Sequence, residues 1–156
     1  MAGSRDPHVE GKVNRTHYSS KTELSARLFA VLDLASEDRG LELIPQLSRA
    51  VRRGDVLELV CTDEEGAGPG SEVNRTAYIG FVEVSEAGLL LCGDAVTVQQ
   101  EEIGKVSGFD ETHLPNHLNV VIRSKRLVTG REMDLSLDAP ITFAGIRADA
   151  DRGIGF

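Results

Sequence analysis

Short runs of apolar residues that alternate with polar ones, separated by turn residues every eight to twelve positions or so, constrain the fold of this chain most. Alternation with a period of two indicates strands that bury one face, and many short strands at this spacing are typical of β-barrels and sandwiches. The pattern predicts an all-β fold: a small closed antiparallel β-barrel of Greek-key type, with at most one short helix. The predicted strands are Val9–Thr16, Leu41–Ile44, Val56–Cys61, Ala77–Val84, Leu89–Cys92, Ala95–Val98, Ile103–Val106, Leu118–Ile122, Met133–Leu137 and Ile141–Ile146.

The segment from Ser20 to Ala35 fits two different structures. Ser20 and Glu23 form a capping box ahead of apolar residues at helical spacing, which predicts a helix. The alternation of Leu28, Ala30 and Leu32 instead predicts a strand. The short helix allowed above would lie here.

An internal echo favours the strand. The hexapeptide Val13–Tyr18 returns as Val73–Tyr78 with five identities in six positions, and Glu23 matches Glu83 in the same register. If the echo is a duplication, the first copy should resemble the second, which reads as a strand. We therefore predict a strand over Leu24–Leu34, while duplication and chance both remain open for a signal of only two copies.

Length and charge bound the domain organisation and the partners. A chain of 156 residues matches one domain, which we place at residues 9–147, between a flexible leader (1–8) and a flexible glycine-rich tail (148–156). The net charge of −8 and a pI near 5.0 disfavour nucleic acid and anionic membranes as partners. The residues show no membrane-length apolar run and no secretory signal, so we expect a cytoplasmic protein, and a homodimer stays open.

Both cysteines lie in apolar runs without a Cys-x-x-Cys spacing. In a reducing compartment this arrangement predicts two buried free thiols, Cys61 and Cys92, and no disulfide.

The most polar candidate for chemistry is the segment Gly108–Asn119, which holds two carboxylates, two imidazoles and two carboxamides between apolar strands. Imidazole can take and give a proton near neutral pH, and a neighbouring carboxylate can fix its tautomer. We predict an acid–base set there, with His113 or His117 moving a proton and Asp110 or Glu111 orienting the ring. Asn116 or Asn119 would hold a substrate oxygen. Alternatively, these polar side chains only satisfy the backbone of an irregular loop.

The same segment also suggests a metal site. His113 and His117 have the spacing of two ligands on one helical face, and Asp110 could be a third. Pro115, however, lies between the histidines and disfavours a continuous helix. We therefore favour no cofactor and keep a divalent metal such as Zn or Fe(II), held by these three residues, as the alternative.

Three further polar residues, in or next to the echo, are candidates for substrate binding: His17, Arg75 and Tyr78. Surface ion pairs are the ordinary role of an arginine such as Arg75. The basic residues of the two small clusters read as solvated faces, because no aromatic residues or glycine-rich phosphate loop accompany them: Arg49, Arg52, Arg53, Arg123, Lys125 and Arg126.

The second half of the chain resembles the β-barrel second domain of translational GTPases. The residues that carry the likeness are Phe81-Val82-Glu83-Val84, Leu89-Leu90, Cys92-Gly93-Asp94-Ala95-Val96-Thr97-Val98, Gly104-Lys105-Val106, Asn119-Val120-Val121-Ile122-Arg123 and Thr129-Gly130. These motifs are common to many small barrels, so the resemblance implies the fold alone. The GTPase domain is absent, and no factor function carries over.

A second likeness covers most of the chain after Leu28. The run Gly-Phe-Asp-x-x-His-x-Pro-Asn-His-x-Asn at residues 108–119, with Ile79-Gly80-Phe81 and Gly93-Asp94 before it, is similar to a group of small uncharacterised bacterial proteins. The resemblance implies a bacterial origin and brings no established activity.

Three functions remain. We favour a small barrel enzyme that binds an apolar, natural-product-like substrate in a ligand-sized interior and catalyses cofactor-free isomerisation, cyclisation or elimination. Some bacterial polyketide cyclases are single barrels of this size, which is an analogy of fold only. The alternatives are a His/carboxylate metalloenzyme or metal-binding protein, and a non-catalytic module that binds a small molecule or a protein.

Overall fold

A computed structural model describes residues 18–145 of the chain, and the part described contains eleven β-strands and no helix. The all-β prediction is confirmed. No helix in residues 18–145 is long and apolar enough to cross a membrane. The strands are β1 (Leu24–Ser36), β2 (Leu41–Glu42), β3 (Ser48–Val51), β4 (Val56–Thr62), β5 (Glu72–Val73), β6 (Thr76–Val84), β7 (Gly88–Leu91), β8 (Ala95–Val98), β9 (Glu101–Asp110), β10 (Leu118–Arg123) and β11 (Pro140–Ala144).

Seven of the strands close a barrel in the order β1-β11-β8-β9-β10-β4-β6, which confirms the predicted closed barrel. Strand direction can alternate all the way round a closed barrel only if the number of strands is even. With seven strands at least one neighbouring pair must be parallel, and that pair is β4 and β10. The other six pairings are antiparallel.

Side chains alternate between the two faces of each barrel strand. The inward-facing side chains form one continuous apolar core that fills the interior, with Phe109 and Phe143 among the largest. The outer face of β4, β6 and β10 carries a smaller apolar cluster, which includes Val60, Tyr78 and Val121 and is covered by the β2–β5 ribbon. A filled interior differs from the ligand-sized one expected from the sequence.

The ambiguous segment is a strand, as predicted, because β1 runs through it and pairs with both β6 and β11. The predicted strand Met133–Leu137 is wrong. Its alternating apolar residues lie in a series of turns, where Asp134 has a φ of 56° and the amide of Leu135 donates to the carbonyl of Gly130. The predicted strand Val9–Thr16, the leader and the tail from residue 148 lie outside the described residues, so the duplication stays a hypothesis.

A buried ion pair joins the chain before β1 to the turn between β7 and β8. Lys21 Nζ lies 3.2 Å from an Asp94 carboxylate oxygen, and the two side chains are 5% and 0% exposed. The same aspartate accepts a hydrogen bond from the backbone amide of Leu91. Because burying a charge is costly unless it is paired, loss of either partner would leave the other unfavourably buried.

The turns after β10 press against the barrel wall at Gly130. A Cβ atom built at this position would lie 1.9 Å from the carbonyl oxygen of Ile79, in the backbone of β6. We predict that Gly130→Ala lowers the free energy of unfolding by about 2 kcal/mol or more, since backbone cannot yield as a side chain can. Urea denaturation measures the change. Gly66→Ala, where no atom lies within 4 Å of the added carbon, is the matched control and should change stability by less than about 0.5 kcal/mol.

Both cysteines are free, Cys61 is buried, and Cys92 is partly buried. Burial raises the pKa of Cys61, and it raises the pKa of Cys92 to about 12. Because the thiolate is the reactive form, both thiols should be inert to a disulfide reagent at mildly alkaline pH and react only after denaturation. Fast labelling of either thiol in the folded protein, followed by absorbance of the released aryl thiolate, would contradict this expectation.

Candidate functional site

A row of side chains crosses the outer face of four neighbouring strands. Glu58 on β4 is paired with Phe81 on β6 and with Asn119 on β10, and Asn119 is paired in turn with Asp110 on β9. The residues that flank Glu58, Asn119 and Asp110 along each strand point into the barrel, so the three polar side chains face outward. They are nevertheless buried, at 9% exposure or less.

Asp110 belongs to this row as a structural acceptor. Its carboxylate accepts hydrogen bonds from the backbone amides of Glu42 and Thr112, at 3.2 and 2.9 Å, and from the side-chain amide of Asn119 at 3.2 Å. β9 extends to Asp110, so this residue ends a strand and starts the turn that follows. Its contacts are those of the alternative stated above, in which the polar side chains satisfy the backbone.

His117 lies over the row, one residue before β10 begins. Its Nε2 atom is 3.3 Å from a carboxylate oxygen of Glu58, and the two side chains are 9% and 11% exposed. Its ring meets Phe81 edge-on at a centroid distance of 5.1 Å. Its Nδ1 atom is 2.8 Å from the side-chain amide nitrogen of the exposed Asn116. The carboxylate beside the imidazole is therefore Glu58, and not Asp110 or Glu111 as predicted.

His113 stacks on His117, with ring centroids 4.9 Å apart and planes inclined by 28°. It lies in the turns between β9 and β10, after which the Leu114–Pro115 peptide bond is cis. A guanidinium nitrogen of Arg39 lies 3.4 Å from its Nε2 atom, and Arg39 Nε donates to the Tyr78 hydroxyl at 2.6 Å. The two histidine rings are thus in contact, and Arg39 connects Tyr78 to His113.

The remaining candidates are placed elsewhere. Glu111 forms an ion pair with Arg49. Arg75 is held by the carboxylates of Asp63 and Glu37. The hydrogen bond from Arg75 lowers the pKa of the Asp63 carboxyl. His17 lies outside the described residues.

Two buried polar atoms of the site have no hydrogen-bond partner within residues 18–145: His117 Nε2, whose contact with Glu58 has an ion-pair distance without hydrogen-bond alignment, and Asn119 Oδ1. Unsatisfied buried polar atoms are rare in folded proteins because each costs free energy. Both atoms lie in the part of the row next to Glu58. Since packing alone does not favour such atoms, this part of the row is a candidate for a functional role.

An open groove of about 480 Å³ runs beside His117. One wall is β3, with Arg49 and Val51, and the turn that follows it, and the other is the turn that carries Leu114 and His117. A larger cleft of about 990 Å³ lies at the opposite end of β10, where charged side chains of both signs line it and none of the sequence-predicted site residues does. The groove is therefore the place where a bound ligand could contact His117.

The residues described form no group of three or more His, Cys, Asp or Glu side chains that could hold a metal ion. The predicted third ligand, Asp110, is engaged by two backbone amides and Asn119. The three residues named for the metal alternative thus do not form such a group, and the preference for no cofactor stays a prediction.

Sequence reasoning missed Glu58, Phe81 and Arg39. A signal for Glu58 was present, since it is the one charged residue within the apolar run Val56–Cys61. Its contact with His117 could not be predicted, because that contact depends on the register between β4 and β10. In this register Glu58 pairs with Asn119, which is 61 positions later in the chain.

The role of Asp110 is testable by stability. We predict that Asp110→Ala lowers the free energy of unfolding by about 2–5 kcal/mol, because it leaves two backbone amides and a buried carboxamide without their acceptor. Glu111→Ala, which removes only a half-exposed ion pair, should cost less than about 1 kcal/mol. Urea denaturation of the two variants compares them directly. Equal costs would show that Asp110 does not hold the turn.

Residues 18–144 match the family of unknown function DUF6917, and the chain therefore belongs to it. No curated protein and no solved structure matches the sequence. The match agrees with the likeness to uncharacterised proteins noted from the sequence, and what this member does has to be argued from its site.

Proposed function

We propose that this member of the family is an enzyme that catalyses cofactor-free acid–base chemistry on a small organic substrate bound in the groove beside His117. The observation that carries the proposal is the contact of His117, which lines the open groove, with Glu58 behind it, both side chains being about nine-tenths buried. Burying a carboxylate and an imidazole side by side adds little to stability compared with apolar side chains of similar volume. The pair is therefore better explained by chemistry than by packing.

The two ring nitrogens of His117 would have different roles. Nε2 faces Glu58, which orients the ring and stabilises the imidazolium when it forms. Nδ1 is 2.8 Å from the side-chain amide nitrogen of Asn116, which is exposed and also lines the groove. A substrate that replaces this amide would place a proton within reach of Nδ1.

Such a site suits reactions in which one group takes a proton and returns it at another atom. His117 would accept a proton from a carbon or oxygen of the substrate, and the same proton would return to a second substrate atom in an isomerisation or to the leaving oxygen in an elimination. His113, which stacks on His117, and Arg39 beside it add further donors next to the ring. The closed barrel holds β4, β6 and β10 in fixed register, so the contact with Glu58 needs no rearrangement.

Untargeted mass spectrometry of a bacterial metabolite extract tests the proposal, since isomers differ in retention time and elimination products in mass. We expect the wild type to consume at least one metabolite. His117→Gln should consume the same metabolite at about one hundredth of that rate or below. Glu58→Gln should also be impaired. Glu83→Gln, an exposed change of the same kind on β6, is the matched control. Circular dichroism confirms that each variant is folded.

Two outcomes would overturn the enzyme proposal. Consumption at an equal rate by wild type and His117→Gln would remove the histidine from the reaction. Metabolites that are retained by the protein but left unchanged would instead indicate the non-catalytic binding module, and an extract left wholly untouched would also count against an enzyme.

A further inference from the structure

The groove beside His117 is lined by one arginine and one aspartate, Arg49 and Asp55, in a chain whose net charge is −8. Arg49 lines it directly. Arg52 and Arg53 are exposed in the turn that follows β3, and the Asp55 carboxylate accepts a hydrogen bond from the backbone amide of Arg52. The guanidinium of Arg49 is therefore the charged donor that an anion in the groove can reach.

Arg49 forms only a weak ion pair in the protein. Its partner is Glu111, and the two side chains are 29% and 40% exposed. Ion pairs this accessible to water contribute about 1 kcal/mol or less to stability. A ligand carboxylate could therefore exchange with Glu111 at small cost and form the same paired contact with the planar guanidinium.

The rest of the groove is suited to an apolar body. Leu114 is 39% exposed, Pro115 next to it is exposed, and the facing wall includes Val51 and Val56. Covering the exposed part of Leu114 with a ligand would remove apolar surface from water. Of the described side chains that line the groove, Arg49 and His117 are basic and Asp55 is acidic, and one arginine fits a ligand with a single negative charge.

We infer that the ligand of the groove is a small organic carboxylate with an apolar body. Its carboxylate binds Arg49 in place of Glu111, and its body lies against Leu114 and Val51, so that its reactive carbon is directed toward His117. The inference rests on the proposed function and names the substrate class of the same site.

Matched probes test the charge requirement. Each pair is a carboxylate and its primary amide, for example 3-phenylpropanoate and 3-phenylpropanamide, hexanoate and hexanamide, or indole-3-acetate and indole-3-acetamide. Titration into isotope-labelled protein, followed by amide NMR shifts, gives the affinity and the location. We expect at least one acid to bind about tenfold more tightly than its amide, with the shifts centred on Val51, Leu114 and His117.

Two variants with opposite expected effects separate binding from simple structural damage. Arg49→Gln should weaken binding of the acid about tenfold and leave the amide unchanged, because it removes only the charged partner. Glu111→Gln should tighten binding of the acid, because it removes the competitor for Arg49. Arg27→Gln is the control and should change neither affinity. Arg27 is an exposed arginine on β1 that is paired with Asp138.

Failure of this inference can be told apart from failure of the enzyme proposal. If no acid binds, if acid and amide bind equally, or if Arg49→Gln leaves acid binding intact, the carboxylate assignment is wrong, even if a neutral metabolite is turned over with His117. If acids bind as expected and no metabolite is consumed, the carboxylate assignment holds and the protein is a binding module.

Discussion

The parallel contact between β4 and β10 is the constraint on which the rest of the structure depends. A closed barrel of seven strands cannot avoid one such pair, and here it joins two strands that are far apart in the chain. The register of this pair sets Glu58 beside Asn119 and under His117. The element that completes the barrel is thus also the element that assembles the candidate site. A shift of one residue would turn Glu58 into the apolar interior and separate it from the histidine.

The sequence was informative about strands because burial repeats every second residue, a local property. For β1 the alternation of Leu28, Ala30 and Leu32 competed with a helical pattern, and the echo of Val73–Tyr78 favoured the strand. The strand prediction failed where apolar residues alternate without forming a strand. Met133 and Leu135 alternate, but Asp134 has a positive φ and the amide of Leu135 donates a hydrogen bond to the carbonyl of Gly130. β5 was missed because it has only two residues, and β3 was missed because its sequence, Ser-Arg-Ala-Val, does not alternate.

For the site, the sequence identified the imidazoles and the segment that carries them, and it misjudged their partners. Asp110 is close to both histidines in the chain, yet its side chain is engaged by the backbone amides of Glu42 and Thr112. Glu58, remote in sequence, is in contact with His117. Short-range spacing can rank residue types, but which carboxylate meets which ring is set by strand pairing over long distances.

The candidate site lies on the outside of the barrel wall, and the inside is occupied by a separate apolar core. Successive residues of one strand thus belong to two systems, since Leu57 and Leu59 pack in the apolar core while Glu58 between them contacts His117. Substitutions that reshape ligand preference can therefore accumulate on one side of the sheet while the other side goes on supporting folding. Such a division lets relatives with the same scaffold diverge in what they recognise without first having to become more stable.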